Sequence, residues 1–540
     1  MKFRKVALFF LIVSFGLIIE GINIGRNVIN DESFEGFRGF EFDGDFPFRV
    51  SRFRGPSQDY TESQQSDAAG ITGVEISNAF GDVIVRRSAD PKAQIGIGLR
   101  KEVFTRRSES ADAISEKVKL VISREGGLLK VSTTRDPKAS YRVKTHIEID
   151  TPVPLDTRIT NRHGRIVVEG AKALNVTGEF DEMRVTDVSG DCAAKNRHGS
   201  LEVVSAALGC RVEVEFGDAH IERLMAPSEV EVSHGNLNAV DLAGLTAKLK
   251  FSDLQARKIA GNLVTEGEHS DLRIDDVQGD VTLNNQGDID IQNIKGRVSI
   301  ENRRGHVKLL KAAAAVLIKN SFDSVDASDV DGMLEITNKN GSITAQRFLK
   351  GAKLETDGED VDAVDFEGAL NVVASRGEVS VKPLRKVLAP IDIQIDIGDV
   401  RLALPDSVNA LLDAKVERGD VRGEVGALNS SEEGKRLLKA TIGSGGPLLT
   451  LRSRLGDITV SSEDELDVSE PDFPNAPEVD NRFRMPRGAD PMPAAPRAPE
   501  MPELPQPKPP KPGKLPKGAA DLPVAPVAPP APPMPTPEGR

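Results

Sequence analysis

A pattern of about eighteen residues returns again and again between Gly164 and Gly377, and few folds are open to a chain built that way. The residues following each turn are Gly164, Asp181, Gly199, Gly217, Gly235, Ser252, Ser270, Gly287, Gly305, Asp323, Gly341, Glu359 and Gly377, each seventeen or eighteen residues from the last. Two residues past each of these anchors the column is apolar at every position, from Ile166 to Val379. Four past, from Val168 to Val381, it is apolar again. Alternation with period two marks a short strand whose even positions face a core. One repeat cannot bury its own inward side chains, so successive coils must stack at the strand spacing of roughly 4.8 Å. Thirteen anchors then span on the order of 60 Å.

The rest of each repeat completes a coil. Seven residues past the anchor a further apolar column runs from Ala171 to Phe366, which predicts an inward corner. Two residues later Gly190, Gly244, Gly261, Gly279, Gly296, Gly332 and Gly368 recur, where a tight turn with positive φ is expected. A second strand follows, with inward pairs such as Val281 and Leu283, Val298 and Ile300, and Leu334 and Ile336. Three residues before the anchor stand Asn284, Asn302, Asn320 and Asn338, with Asn161 and Asn196 in the same column earlier. This reads as a structural ladder of amides bonded to one another along the axis, in preference to a ligand site. The expected fold is therefore all-β, a single-chain parallel β-helix of about 18 residues per coil, right-handed, with a disordered proline-rich tail.

Four segments follow from the composition along the chain. Residues 1–30 carry Lys2, Arg4 and Lys5 ahead of an apolar run from Val6 to Ile19, the pattern of a signal peptide or an uncleaved N-terminal anchor. Residues 31–69 are rich in Phe, Gly and Arg and are expected to be a leader or a cap over the first coil's edge. Residues 70–465 form the solenoid, interrupted early by a helical stretch from Ser110 to Lys117 and a hairpin around Glu125-Gly126-Gly127. Ser430 to Leu438 is expected to be a surface loop with a helical turn. Residues 466–540 are dominated by proline and are expected to be extended.

Charge and residue usage narrow the function. From Glu470 to Arg540 there are nine acidic and nine basic residues, so the net charge of −13 belongs to the remainder of the chain. A broadly acidic surface argues against nucleic acid as partner. The chain has no Trp and two Tyr, few of the rings that line sugar grooves. Its two cysteines, Cys192 and Cys210, are eighteen apart and should stack in adjacent coils. Parallel stacking leaves their Cβ vectors side by side, so two packed thiols are expected in preference to a disulfide. One residue before the anchor the chain alternates His163, Phe180, His198, Phe216, His234, Phe251, His269. Histidines two coils apart lie about 9.6 Å from one another, too far to share one ion, so an aromatic ladder is expected and no metal site.

The Gly-Asp-Val and Gly-Asp-Ile signatures at Gly81, Gly279, Gly287, Gly398, Gly419 and Gly456, the lead-in from Ile147 to Pro154, and Leu402-Ala403-Leu404-Pro405 resemble the putative-adhesin family of bacterial envelope β-solenoids. The resemblance covers about residues 70–462. It implies the fold and an adhesin-like envelope or surface role, and supplies no catalytic, cofactor or metal residue. The expected function is a non-enzymatic structural or interaction protein, exported to the periplasm, outer membrane or cell surface. Its partner would be an envelope or surface protein or a glycan, and a membrane is met only through the N-terminal anchor. The alternatives are an envelope scaffold that associates end to end and a carbohydrate-active β-helix enzyme.

Overall fold

The computed structural model describes residues 57–462 apart from 91–93, 106–109, 136–141, 384–385, 406 and 426–427. The apolar run at residues 6–19, the leader up to residue 56 and the proline-rich tail lie outside the described residues. The rest is a β-solenoid in which each coil contributes two strands, each paired in parallel register with its counterparts above and below. Leu201–Ala206 lies between Ala173–Val188 and Ala219–Leu224, and Cys210–Glu215 pairs with Ser228–Ser233 one coil on. Ile166, Ile289 and Val379, from the first inward column, are 0–1% exposed, and Val168, Ile291 and Val381, from the second, are fully buried.

The third inward column needs a break in the alternation, and the backbone supplies it. Six residues past the anchor, eleven non-glycine residues from Asp187 to Asp365 have φ between 51° and 64°. One left-handed residue shifts the alternation by a place, so that Ala206, Leu224 and Phe348 turn inward as well. Six of the eleven are Asp or Asn, the side chains that tolerate this conformation best.

The glycines at the second turn behave otherwise than expected. Gly190, Gly261, Gly279, Gly296, Gly332 and Gly368 do not have positive φ; a Cβ on any of them would meet the backbone of an adjacent coil, 2.2 Å from Gly279 O in the case of Gly296. Close approach between stacked coils is what excludes a side chain there.

The Gly-Asp signatures acquire a physical role. The Asp82, Asp280, Asp288, Asp399 and Asp457 carboxylates each accept the backbone N–H at the same position of the adjacent coil, from Arg165, Arg297, His306, Asp457 and Asp420, at 2.8–3.0 Å. A donor at the turn, beyond the reach of the strand ladder, is satisfied in this way.

The asparagine column differs from its expectation in two respects. Asn285, not Asn284, is the buried member, paired in register with Asn302. The interval from Ser270 to Gly287 is seventeen residues, and the missing residue falls in the turn after Asn285. The amides do not bond to each other; Asn302 donates to the Gly287, Arg304 and Gly305 carbonyls, and Asn320 to those of Gly305, Phe322 and Asp323. Each holds the turn of its own coil against the turn before it.

The cysteine expectation is overturned. Cys192 and Cys210 pair in register with Cα atoms 4.6 Å apart and form a disulfide. Neighbouring strands already hold Cα atoms inside the bonding range, and rotation of the two side chains is enough to bring the sulfurs together.

Both ends depart from sequential stacking. Near the N-terminus Val83–Arg87 lies between Val143–Thr151 and Asp156–Glu169. Val143–Thr151 then pairs antiparallel with Ile95–Phe104, which pairs antiparallel with Ser57–Ser66, a strand inside the stretch read as leader or cap. Lys101 pins this edge, its buried ammonium donating to Glu62 and to the Ser115 and Val118 carbonyls. The helix Ala111–Ser115 and the hairpin of Val118–Glu125 with Leu128–Arg135 fall where the sequence predicts them. Near the C-terminus Leu448–Leu455 is inserted between Ile391–Ile397 and Ala410–Arg418, and Ile458–Ser462 between Val400–Leu404 and Val421–Glu424. Residues 430–438, expected as a loop with a helical turn, belong instead to a hairpin of Leu428–Gly434 with Leu437–Ile442, bulged between Ser430 and Glu432. Antiparallel pairing of Leu437–Ile442 with Ala410–Arg418 is what makes that segment extended.

Candidate functional site

One edge of the solenoid, the turn that leads from the second strand of a coil into the first strand of the next, carries the unusual side chains. Phe80, His163, Phe180, His198, Phe216, His234, Phe251 and His269 stack there as a continuous row, with ring centroids 4.6–5.3 Å apart. Coil stacking sets that spacing. Phe80 extends the row by one ring beyond the alternation read from the sequence; its place one residue before Gly81 was the available signal.

The row changes character midway. The first four ring pairs are stacked with interplanar angles of 11–18°, whereas the last three are tilted by 32–36°. In the first coils the chain passes the turn inside the long strands Asp156–Glu169 and Ala173–Val188, but Phe216, His234, Phe251 and His269 have φ of 51–59°. The tilted pairs are those in which both members are left-handed. Phe180, Phe216 and Phe251 are 44–54% exposed, yet each ring face is covered by the next ring, so the row presents edges to solvent. Burial, and then the charge of Arg162, holds the His163 imidazole below its usual range.

Below His269 the same column reads Gln286, Arg304, Phe322, Asn340, and the row gives way to an open groove of about 550 Å³. Arg303 and Arg304 come from one coil, Lys319 and Phe322 from the next, and Thr337 and Lys339 from a third. A second hollow of about 440 Å³, lined by Arg304, Gly305, Phe322 and Asp323, shares Arg304 and Phe322 with the first. Phe322 is 53% exposed and has no ring partner among the described residues. Arg303, Arg304, Lys319 and Lys339 make no ion pair among the described residues. Glu301 is the one carboxylate lining the groove, in register beside Lys319.

Several titratable groups elsewhere on this edge are perturbed, Asp181 and His306 among them. Asp181, which stands where other coils have glycine, is pushed up to about 6, chiefly by burial and further by the charges of Asp82 and Glu179. A hydrogen bond from Asn161 to its Oδ1 and one from the Glu179 N–H to its Oδ2 pull the other way. His306 is raised, first by its bond to Asp326. No group of three or more His, Cys, Asp or Glu among the described residues is placed to hold a metal ion. The sequence singled out the histidine column and not the groove, because the groove's cations come from different columns of the repeat.

Residues 324–461 match the family described as Toastrack DUF4097. No curated protein matches the chain. Among solved structures, that of a putative cell adhesion protein from Clostridium sporogenes is aligned over 75% of this chain and 100% of its own, at 9% identity and a TM-score of 0.14. A putative adhesin from Bacteroides fragilis is aligned over 60% of this chain and 97% of its own, at 14% identity and a TM-score of 0.17. One from Parabacteroides merdae covers 61% and 98%, at 12% identity and a TM-score of 0.15. At these scores the likeness carries no argument about this chain.

Proposed function

We propose that this chain, a β-solenoid with a Toastrack DUF4097 segment at residues 324–461, is a non-enzymatic rod of the cell envelope or surface that presents one edge for recognition. The observation that carries this reading is the composition of that edge. A row of stacked rings runs into an open groove with four cations, one free ring and a single carboxylate.

Two features support the placement and the monomeric rod. The disulfide between Cys192 and Cys210 suits an oxidising compartment outside the cytoplasm. Two of the four terminal strands of the stack, one at each end, are blunted against further strand pairing. Ser57–Ser66 is polar and largely exposed, and Leu428–Gly434 is bulged and carries Glu432 and Glu433. Pairing of a second copy onto these two strands is therefore disfavoured.

The test is made in the native cell. Thiols are trapped with a maleimide before lysis and the full chain is followed through fractionation. The expected result is an envelope fraction in which both cysteines resist the reagent until reduced. A cytosolic chain with both thiols labelled would overturn the reading.

A further inference from the structure

We propose that the groove around Phe322 is a binding site for an acidic polysaccharide, gripping one short stretch of a chain rich in carboxylate, sulfate or phosphate groups. This rests on the recognition reading above and names the chemistry of the partner.

The first support is charge. The chain carries a net charge of −13, yet Arg303, Arg304, Lys319 and Lys339 gather on three successive coils around one groove. Several cations elsewhere on the coils are matched by acids one coil away, whereas these four stand together around one hollow. Arg347 meets Asp329, Arg211 meets Glu229 and Lys195 meets Glu213. Four cations left without such partners repel one another, and an anionic ligand removes that repulsion. The two arginines offer planar forks suited to carboxylate or phosphate oxygens.

The second support is the ring. Seven ring-to-ring contacts along the aromatic row cover both faces of its six inner members, so no sugar can lie on those. Phe322 occupies the same column but stands between Arg304 and Asn340, and its faces are free of other rings. An exposed ring with a free face beside hydrogen-bonding side chains can take the apolar C–H face of a pyranose, and the amides and hydroxyls of the lining suit its hydroxyl groups. The lining is drawn from three successive coils, which suits a polymer lying along the stack.

A single-stranded nucleic acid offers the same two chemistries, phosphate and a stacking face. The acidic surface beyond the groove opposes its longer run of regularly spaced phosphates.

The experiment uses the purified full chain and isothermal titration with alginate hexasaccharides, with neutral dextran oligomers, dextran sulfate and a single-stranded oligonucleotide as comparators. Alginate is expected to bind with an affinity that falls as salt rises, and dextran to give no heat. Phe322→Ala should weaken alginate binding about tenfold without changing the salt slope. Arg304→Ala should weaken it and flatten the slope. Both positions are exposed, and unchanged thermal midpoints would show that the variants are folded. Alginate binding that Phe322→Ala leaves intact, equal binding of dextran, tighter binding of the oligonucleotide, or no binding of any anionic sugar would each overturn the proposal. The thiol-trapping result is independent of affinity, so failure here leaves the envelope placement standing.

Discussion

Asp181 is the residue whose environment departs most from its chemistry. Its neighbours in the anchor column are mostly glycine, and its carboxyl is 2% exposed, with a pKa pushed up to about 6. A carboxyl whose folded value lies above its unfolded value binds protons more tightly in the folded chain. Its stabilising contribution is present below the ordinary carboxylate range near pH 4 and is lost as pH rises through about 6. Asp181→Asn removes the charge while leaving an acceptor for Asn161. The thermal midpoint of the parent is expected to fall between pH 4.5 and 7.0 by more than that of the variant, as calorimetry across that range would read. Equal pH dependence would show that Asp181 is not ionised at a cost. The sequence marks Asp181 only as a substitution for glycine in a turn column; the burial that perturbs it comes from the coils on either side.

A coil is the next unit, and its inward columns were legible because period-two alternation leaves no second way to bury Ile289 or Ile291. Ile289 is 1% exposed, with Leu272 and Val307 in register on either side. Ile289→Asp places a carboxylate among them, which is expected to cost several kcal/mol and to lower the midpoint sharply. A variant that melts with the parent would show that this column does not face inward. The aromatic row makes the opposite prediction. His234 lies between Phe216 and Phe251, and both phenylalanines already hold the left-handed backbone that His234 holds. His234→Phe should keep the stack and leave the midpoint nearly unchanged, and elemental analysis of the parent should find no stoichiometric zinc, nickel or copper. Turn conformation was not legible in this way. The glycines of the second turn signal close packing between coils rather than positive φ, and the two demands leave the same letter in a sequence. Asn285 hid behind Asn284 because a seventeen-residue interval does not say on which side of the asparagine the residue is lost. The groove hid for a related reason. Arg303 and Lys339 stand two residues before their anchors and Lys319 four before its own, so no single column reports them together.

At the scale of the whole molecule the C-terminal strands are inserted out of order. Leu448–Leu455 has Ile391–Ile397 on one side and Ala410–Arg418 on the other. A chain ending at Gly446 therefore loses an inner layer and not an outer one. In that truncation Ala410–Arg418 keeps Leu437–Ile442 but loses Leu448–Leu455, so its amides are expected to exchange with deuterium faster than in the parent while those of Ile289–Ile294 stay protected, because coils of a solenoid depend mainly on their nearest neighbours. Unchanged protection of Ala410–Arg418 would mean that Leu448–Leu455 does not hold it. The sequence marks these last coils only by longer intervals between their Gly-Asp signatures. Which strand lies beside which depends on contacts 37 and 58 residues apart, and a repeat pattern does not carry that information.

That inserted layer also sets a schedule. Ribosomes deliver the chain from its N-terminus, so the coils from Asp156 to Leu404 can stack one after another as they emerge. Ala410–Arg418 cannot take its final place on arrival, because the strand that belongs beneath it has not yet been made. Until residue 462 is out, the newest end of the molecule must wait, and a strand that settles early onto Ile391–Ile397 has to be displaced to admit its proper neighbour. The piece that lies inside is made after the neighbour it must slip beneath, so this end of the stack is completed only once residue 462 has been synthesised.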